Sequence, residues 1–129
     1  MPHSRSKTAT ERRQQAHRSG HRAEALAAWY LQAKLYSIRA RRYKTPVGEI
    51  DLVAEKAGTL VFVEVKQRTK GGEEAMALGA VNQSRIVRAA QYWLSRHPKD
   101  ADKDCRFDVI FLAPGRWPRH LKHAFSVSE

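Results

Sequence analysis

The sequence predicts an α/β domain in which helices flank a central mixed β-sheet, and three observations carry that prediction. Residues 49–55 and 59–67 are consecutive alternating apolar segments around the turn signal Lys56-Ala57-Gly58, which reads as a β-hairpin. Apolar residues at helical spacing stand before it (Leu26, Trp29, Tyr30) and after it (Ile86, Val87, Ala90, Trp93, Leu94). A further alternating run, Phe107 to Leu112, follows the second helical segment. A helix between a hairpin and the next strand implies a right-handed crossover, and so a parallel pair in the sheet.

In chain order, residues 1–18 are polar and basic, with Arg5, Lys7, Arg12, Arg13 and Arg18. They are expected as a mostly disordered arm, helical towards its end, ahead of a single domain over 19–129. The first helix is expected from His21 to Ala33, with Leu26, Trp29 and Tyr30 on its core stripe and small alanines around them. Leu35 to Ala40 reads as a first strand, ending in the basic cluster Arg39, Arg41, Arg42 and Lys44. Thr45-Pro46-Val47-Gly48 reads as a loop before the hairpin. The segment 69–74 contains Gly71-Gly72 and is expected to be mobile. A second helical region runs from Met76 to Arg96, bent near Gly79, and its surer part starts at Asn82, a candidate N-cap. After the strand at 107–112, Pro114 to Pro118 form a turn, and Leu121 to Val127 supply a short last strand or turn.

Length and charge bound the function. A chain of 129 residues is one domain, able to bury roughly two-thirds of its unfolded surface. Lys and Arg number 24 against 13 Asp and Glu, a net charge of +11. Such a balance argues for a polyanionic partner, nucleic acid first. No apolar run approaches the roughly 18 residues of a membrane span, and the basic N-terminus has no apolar signal core. With the single Cys105, no internal disulfide is available, which fits a reducing cytoplasm. Cys105, just before a strand, reads as a small core residue.

The hairpin carries the chemistry. A turn centred between Ala57 and Gly58 sets Asp51 opposite Glu64 and Glu49 opposite Lys66, and Glu64 and Lys66 share a face. Like charges directly opposed destabilise a sheet. A divalent cation would turn that repulsion into a site, since Mg²⁺ is bound through one or two carboxylates plus waters and phosphate oxygens. Lys66 could orient or deprotonate a water, or offset charge building on a phosphate. The alternative is a solvated sheet face in which Glu49 and Lys66 form an ordinary ion pair.

Gly48-Glu49-Ile50-Asp51-Leu52-Val53-Ala54, Phe62-Val63-Glu64-Val65-Lys66 with Arg68, and Arg106-Phe107-Asp108-Val109 resemble the YraN (UPF0102) family of small bacterial proteins. Gly20 with Glu24, Ala27, Tyr30 and Leu31 looks like the family's first helix, and Ala124-Phe125 like its closing residues. The resemblance runs from about Gly20 to Phe125. It implies a restriction-endonuclease-like fold close to the archaeal Holliday-junction resolvases, with the PD-(D/E)xK signature of an acid, then acid-x-lysine on the next strand. By position, Asp51 is the first acid, Glu64 the second and Lys66 the lysine. Ile50 stands where the signature has proline, as in the family itself. The implied activity is Mg²⁺- or Mn²⁺-dependent phosphodiester hydrolysis. Asp51 and Glu64 would hold the metal, helped by the Val65 carbonyl and by Glu24, which reads either as a metal ligand or as a solvent-facing helix residue. The alternative is a catalytically silent binding module or adaptor of the same fold. DNA is favoured over RNA, and a homodimer fits by analogy with the resolvases. One departure is that Val81-Asn82-Gln83-Ser84-Arg85 leads almost directly to Arg88. That is about one helical turn short of the family's basic run, whose lysine Arg85 best matches.

The remaining candidates are weighed on their residues. Arg39, Arg41, Arg42, Lys44, Arg68 and Arg85 are the expected phosphate contacts, tracking a backbone without reading sequence. Gln67 is expected on the opposite face, in a structural role. His120 and His123 have the spacing of a metal pair but no Cys or acid partner at zinc-site spacing. Asp108 beside Arg106 reads as an ion pair. Trp29, Tyr30, Tyr92 and Trp93 read as core, and Trp117, between prolines, is the aromatic best placed for base stacking.

Overall fold

The computed structural model describes residues 8–67 and 82–125, with side chains except those of 11–19. In order these are α1 (Ala9–Ala33), β1 (Ser37–Thr45), β2 (Gly48–Lys56), β3 (Thr59–Gln67), α2 (Gln83–Arg96), a 3₁₀ turn (Pro98–Asp100), β4 (Asp104–Leu112) and β5 (Arg119–Phe125). The five strands form one sheet in sequence order. Every neighbouring pair is antiparallel except β3–β4, which is parallel and is joined through α2. This is the expected α/β mixed sheet with its crossover.

The two helices cover opposite faces. Against α2 lie Ile50, Val53, Leu60, Phe62, Phe107, Val109 and Phe111, with Trp93 and Ile86 from the helix. Against α1 lie Leu52, Ala54, Val61, Val63, Ile110 and Leu112. Covered on both sides, β3 is buried without interruption from Leu60 to Val63, which is why its sequence is an apolar run there. α2 begins at the expected cap, Asn82 Oδ1 accepting from Arg85 N at 3.0 Å. The expected start at Met76, the bend at Gly79 and the segment 69–74 lie outside the described residues, as do Arg68 and residues 1–7.

Four expectations change. α1 starts at Ala9, so the helix expected from His21 begins earlier and takes in the latter part of the basic arm. Long straight side chains such as Arg12, Gln14 and Gln15 favour helix, and no Gly or Pro interrupts before Gly20. The buried face of α1 is Ala23, Ala27, Ala28 and Leu31, whereas Leu26 is 47% and Trp29 54% exposed. The alanines give the helix a close approach to the sheet, and the large side chains are left outside. β1 runs on to Thr45, so the basic cluster lies within the strand rather than after it. Charged residues suit an edge strand, which β1 is. Cys105 is exposed and already within β4, whose burial begins at Phe107.

Candidate active site

The β2–β3 ladder follows the expected register from Lys56↔Thr59 to Leu52↔Val63 and stops there. Ile50 packs against α2 and Leu52 against α1, so the two-residue alternation of β2 is broken at Asp51. Instead of opposing Glu64 in the ladder, Asp51 turns its Oδ2 to accept the Val65 backbone N–H at 2.8 Å. β3 remains paired with β4 as far as Gln67↔Leu112. The separating strands and α1 enclose a cavity of about 150 Å³, lined by Asp51, Val65, Lys66 and Gln67 from the sheet and Gly20, Ala23 and Glu24 from the helix.

Asp51 and Glu64 interact directly through their carboxyl groups. Lys66 Nζ forms an ion pair with Glu64 Oε1 at 3.4 Å. Burial, then the charge of Asp51, push the Glu64 carboxyl up to about 7, against the pull of Lys66. Burial also raises Asp51, opposed by the Val65 N–H and reinforced by the charge of Glu49. The sequence-derived acid-acid-lysine set is thus assembled, and its negative charge is incompletely balanced.

Glu24 is 6% exposed on the wall of the same cavity, so it is not a solvent-facing helix residue. Its Oε1 is buried and accepts no hydrogen bond, with Arg41 Nε 3.8 Å away. A buried oxygen without a donor, on the wall of a cavity that Asp51 also lines, is of the kind an oxygen-loving divalent cation would take. Among the described residues no three acidic, imidazole or thiol side chains form a ready-made cage.

The arginines divide. Arg41 stands by Glu24, and Arg42, at φ 50°, brings its guanidinium beside Gly20 and within 3.8 Å of Glu49. Lys44 is exposed on β1. Arg85 lies across the start of β2, where a Cβ on Gly48 would come within 2.5 Å of its Cγ. Gly48 stands at a positive φ of 156°, where a side chain would be strained, and the arginine would have to shift to admit one. Arg39 faces elsewhere, gripping Asp100 with both terminal nitrogens at 3.1 Å and Glu55 at 2.8 Å. Glu49 does not oppose Lys66 either, being paired across β1 with Lys44.

Sequence reasoning missed Gln67 and Ala23, and set Glu49 opposite Lys66 rather than near Asp51. Gln67 was assigned to the opposite face, but at the end of a strand both faces border the cavity. Glu49 adds a third acid near Asp51, and its position two residues before that acid was the available signal. His120 and His123 both serve Asp108, through Nε2 at 2.6 Å and the backbone N at 2.9 Å. Lys34 Nζ lies 3.0 Å from His120 Nδ1 and donates to it, which leaves the proton on Nε2. Arg106 forks onto Asp108 at 2.8 and 2.9 Å, as the ion-pair reading expected. Trp93 is core, whereas Trp117 is 80% exposed.

A mixed sheet between helices, with two strands parting at a carboxylate pair beside a lysine, defines a domain of restriction-endonuclease-like fold. The sequence profile of the uncharacterised protein family UPF0102 matches residues 23–112, and the chain belongs to that family. It is 53% identical over 113 residues to a UPF0102 protein of Rhodopseudomonas palustris strain BisB18, covering 88% of this chain and 84% of that one. It is 50% identical over 122 residues to one of Bradyrhizobium sp. strain ORS 278, covering 95% and 86%. A UPF0102 protein of Parvibaculum lavamentivorans is 51% identical over 110 residues, 85% of this chain and 83% of the relative. No helix among the described residues is long and apolar enough to cross a membrane.

Proposed function

We propose that the protein binds nucleic acid, DNA in preference to RNA, and hydrolyses its phosphodiester bonds with Mg²⁺ or Mn²⁺. The observation that carries this reading is the buried Asp51–Glu64 pair beside Lys66, both carboxyls raised first by burial, next to a cavity lined by Asp51 and by Glu24, whose buried Oε1 has no donor. Asp51 and Glu64 would hold the cation, with Glu24 and the Val65 carbonyl completing its protein ligands. When bound, the ion polarises the phosphate and lowers the pKa of the attacking water. The Val65 N–H fixes the orientation of Asp51. Lys66 aligns the water or offsets charge developing on the phosphate. Arg41, Arg42 and Lys44, along the edge strand next to the cavity, supply backbone contacts with no sequence preference. Arg39 is left out of that surface, because its guanidinium is held by Asp100 and Glu55.

Labelled single-stranded, duplex, flapped and four-way-junction DNA and structured RNA, incubated with Mg²⁺, Mn²⁺ or chelator, test the reading. Metal-dependent cutting by the wild type and its loss in Glu64→Ala, with binding retained, is the expected result. A Glu64→Ala variant as active as wild type would sink the mechanism. Salt-sensitive binding without cutting of any substrate would leave a binding module of the same fold.

A further inference from the structure

Next to the carboxylate cavity runs a larger groove of about 500 Å³. Ala23 and Gln67 line both, so the two spaces adjoin. The groove's own walls are Leu26 of α1 and Leu112, Ala113 and Pro114 at the end of β4, with Arg22 at its side. It therefore lies at the C-terminal end of the one parallel strand pair, where open α/β sheets place ligands. Leu26 and Trp29, three residues apart on the same stripe of α1 as Arg22, are both about half exposed. Large apolar side chains left outside the core, beside a cationic edge, are unusual on a chain of net charge +11.

We infer that this groove receives an unpaired nucleobase from the strand whose phosphate lies at the carboxylates, so that the ligand class is single-stranded nucleic acid rather than closed duplex. The inference rests on the nucleic-acid reading above and specifies it. A duplex presents sugars, phosphates and base edges, for which walls of Leu, Ala and Pro offer nothing. An unstacked base presents an apolar face, which such walls accept whatever its sequence. The shared walls at Ala23 and Gln67 put base and phosphate of one strand in adjoining spaces. Arg22, Arg41 and Arg42 then carry the flanking backbone.

Fluorescence anisotropy with three probes, in Ca²⁺ at fixed salt, tests this: a twelve-residue thymidine strand, an abasic strand of equal length and charge, and a twelve-base-pair duplex. Wild type should bind the thymidine strand about tenfold more tightly than the abasic one, the gain expected from holding one base. Ala113→Phe, which fills the groove without altering charge, and Leu26→Gln, at an exposed position, should each remove most of that preference at unchanged melting temperature. Equal affinity for base-bearing and abasic strands, or a preference for duplex, overturns the inference while leaving nucleic-acid binding in place. A base preference that survives both substitutions overturns the groove's role. No binding to any probe overturns the inference together with the reading beneath it. A wild-type dimer that Ala113→Phe dissociates would show the groove to be covered by a second copy of the chain, and would also overturn it.

Discussion

Asp100 and Asp108 are each 1% exposed, and both are met by a full set of partners. Burial alone would raise their carboxyls. For Asp100 it is outweighed by hydrogen bonds from Arg39, Lys103 and the Trp93 indole. For Asp108 it is outweighed by His120, Arg106 and the His123 N–H. Both are held below the usual carboxylate range. Asp51 and Glu64, in the same sheet, are both raised first by burial, Glu64 further by the charge of Asp51 and Asp51 by that of Glu49, with one backbone N–H and one lysine in partial compensation. Asp100 ties the 3₁₀ turn to β1 and α2, and Asp108 ties β4 to β5. Asp51 and Glu64 cost stability at neutral pH, as expected of groups kept for a cation or a substrate rather than for the fold.

The largest break in that comparison is Asp108→Ala. It strips Arg106, His120 and the His123 N–H of one shared acceptor at the β4–β5 edge. Removing one partner from a buried ionic cluster costs about 3–5 kcal/mol, because the remaining groups stay desolvated. Urea unfolding at pH 7 should show a loss of that size, and a change under about 1 kcal/mol would mean that the cluster is incidental. The folded-state pKa of Asp108 is depressed, so its stabilisation is present above its unfolded value and is lost as pH falls below it.

Glu64→Gln should act in the opposite direction. The Glu64 carboxyl is raised to about 7 from an ordinary 4.5. The folded state therefore binds more protons than the unfolded state between those values. Stability falls as pH rises through that window, and the full penalty stands above pH 7. A neutral amide removes it. In chelator, the variant should exceed wild type by about 2 kcal/mol at pH 8, with the gap closing towards pH 4.5. Equal destabilisation at both pH values would show the acid pair to be structural.

How much of this contrast was legible follows from its locality. The hairpin register came from one turn signal and two alternating runs, so Asp51, Glu64 and Lys66 could be placed together in advance. That β2 breaks its alternation at Asp51 could not be read, because it depends on which helix covers Ile50 and which covers Leu52. On α1 the apolar period pointed to Leu26 and Trp29, but the buried stripe is mostly alanine, at the same helical period and with a weaker signal. Arg39 looked like its neighbours Arg41 and Arg42 in the sequence. What separates it is Asp100, 61 residues away, a contact no local pattern encodes.

Glu24 falls between the two kinds of acid and gives the smallest effect. It is buried like Asp108, but its Oε1 lacks a hydrogen bond, and Arg41, its cation at 3.8 Å, has a half-exposed side chain that water can resolvate. Glu24→Gln therefore removes little that holds the fold, and unfolding in chelator should change by less than about 1 kcal/mol. If the carboxylate belongs with Asp51 and Glu64, the variant should instead lose response to the ion. If the cation binds as proposed, wild type should gain melting temperature as Mg²⁺ is added, by the usual linkage of ligand to folded state, and Glu24→Gln should need about tenfold more Mg²⁺ for the same gain. An identical Mg²⁺ titration in the two proteins would assign Glu24 to the packing of α1 and leave the cation to the hairpin acids alone.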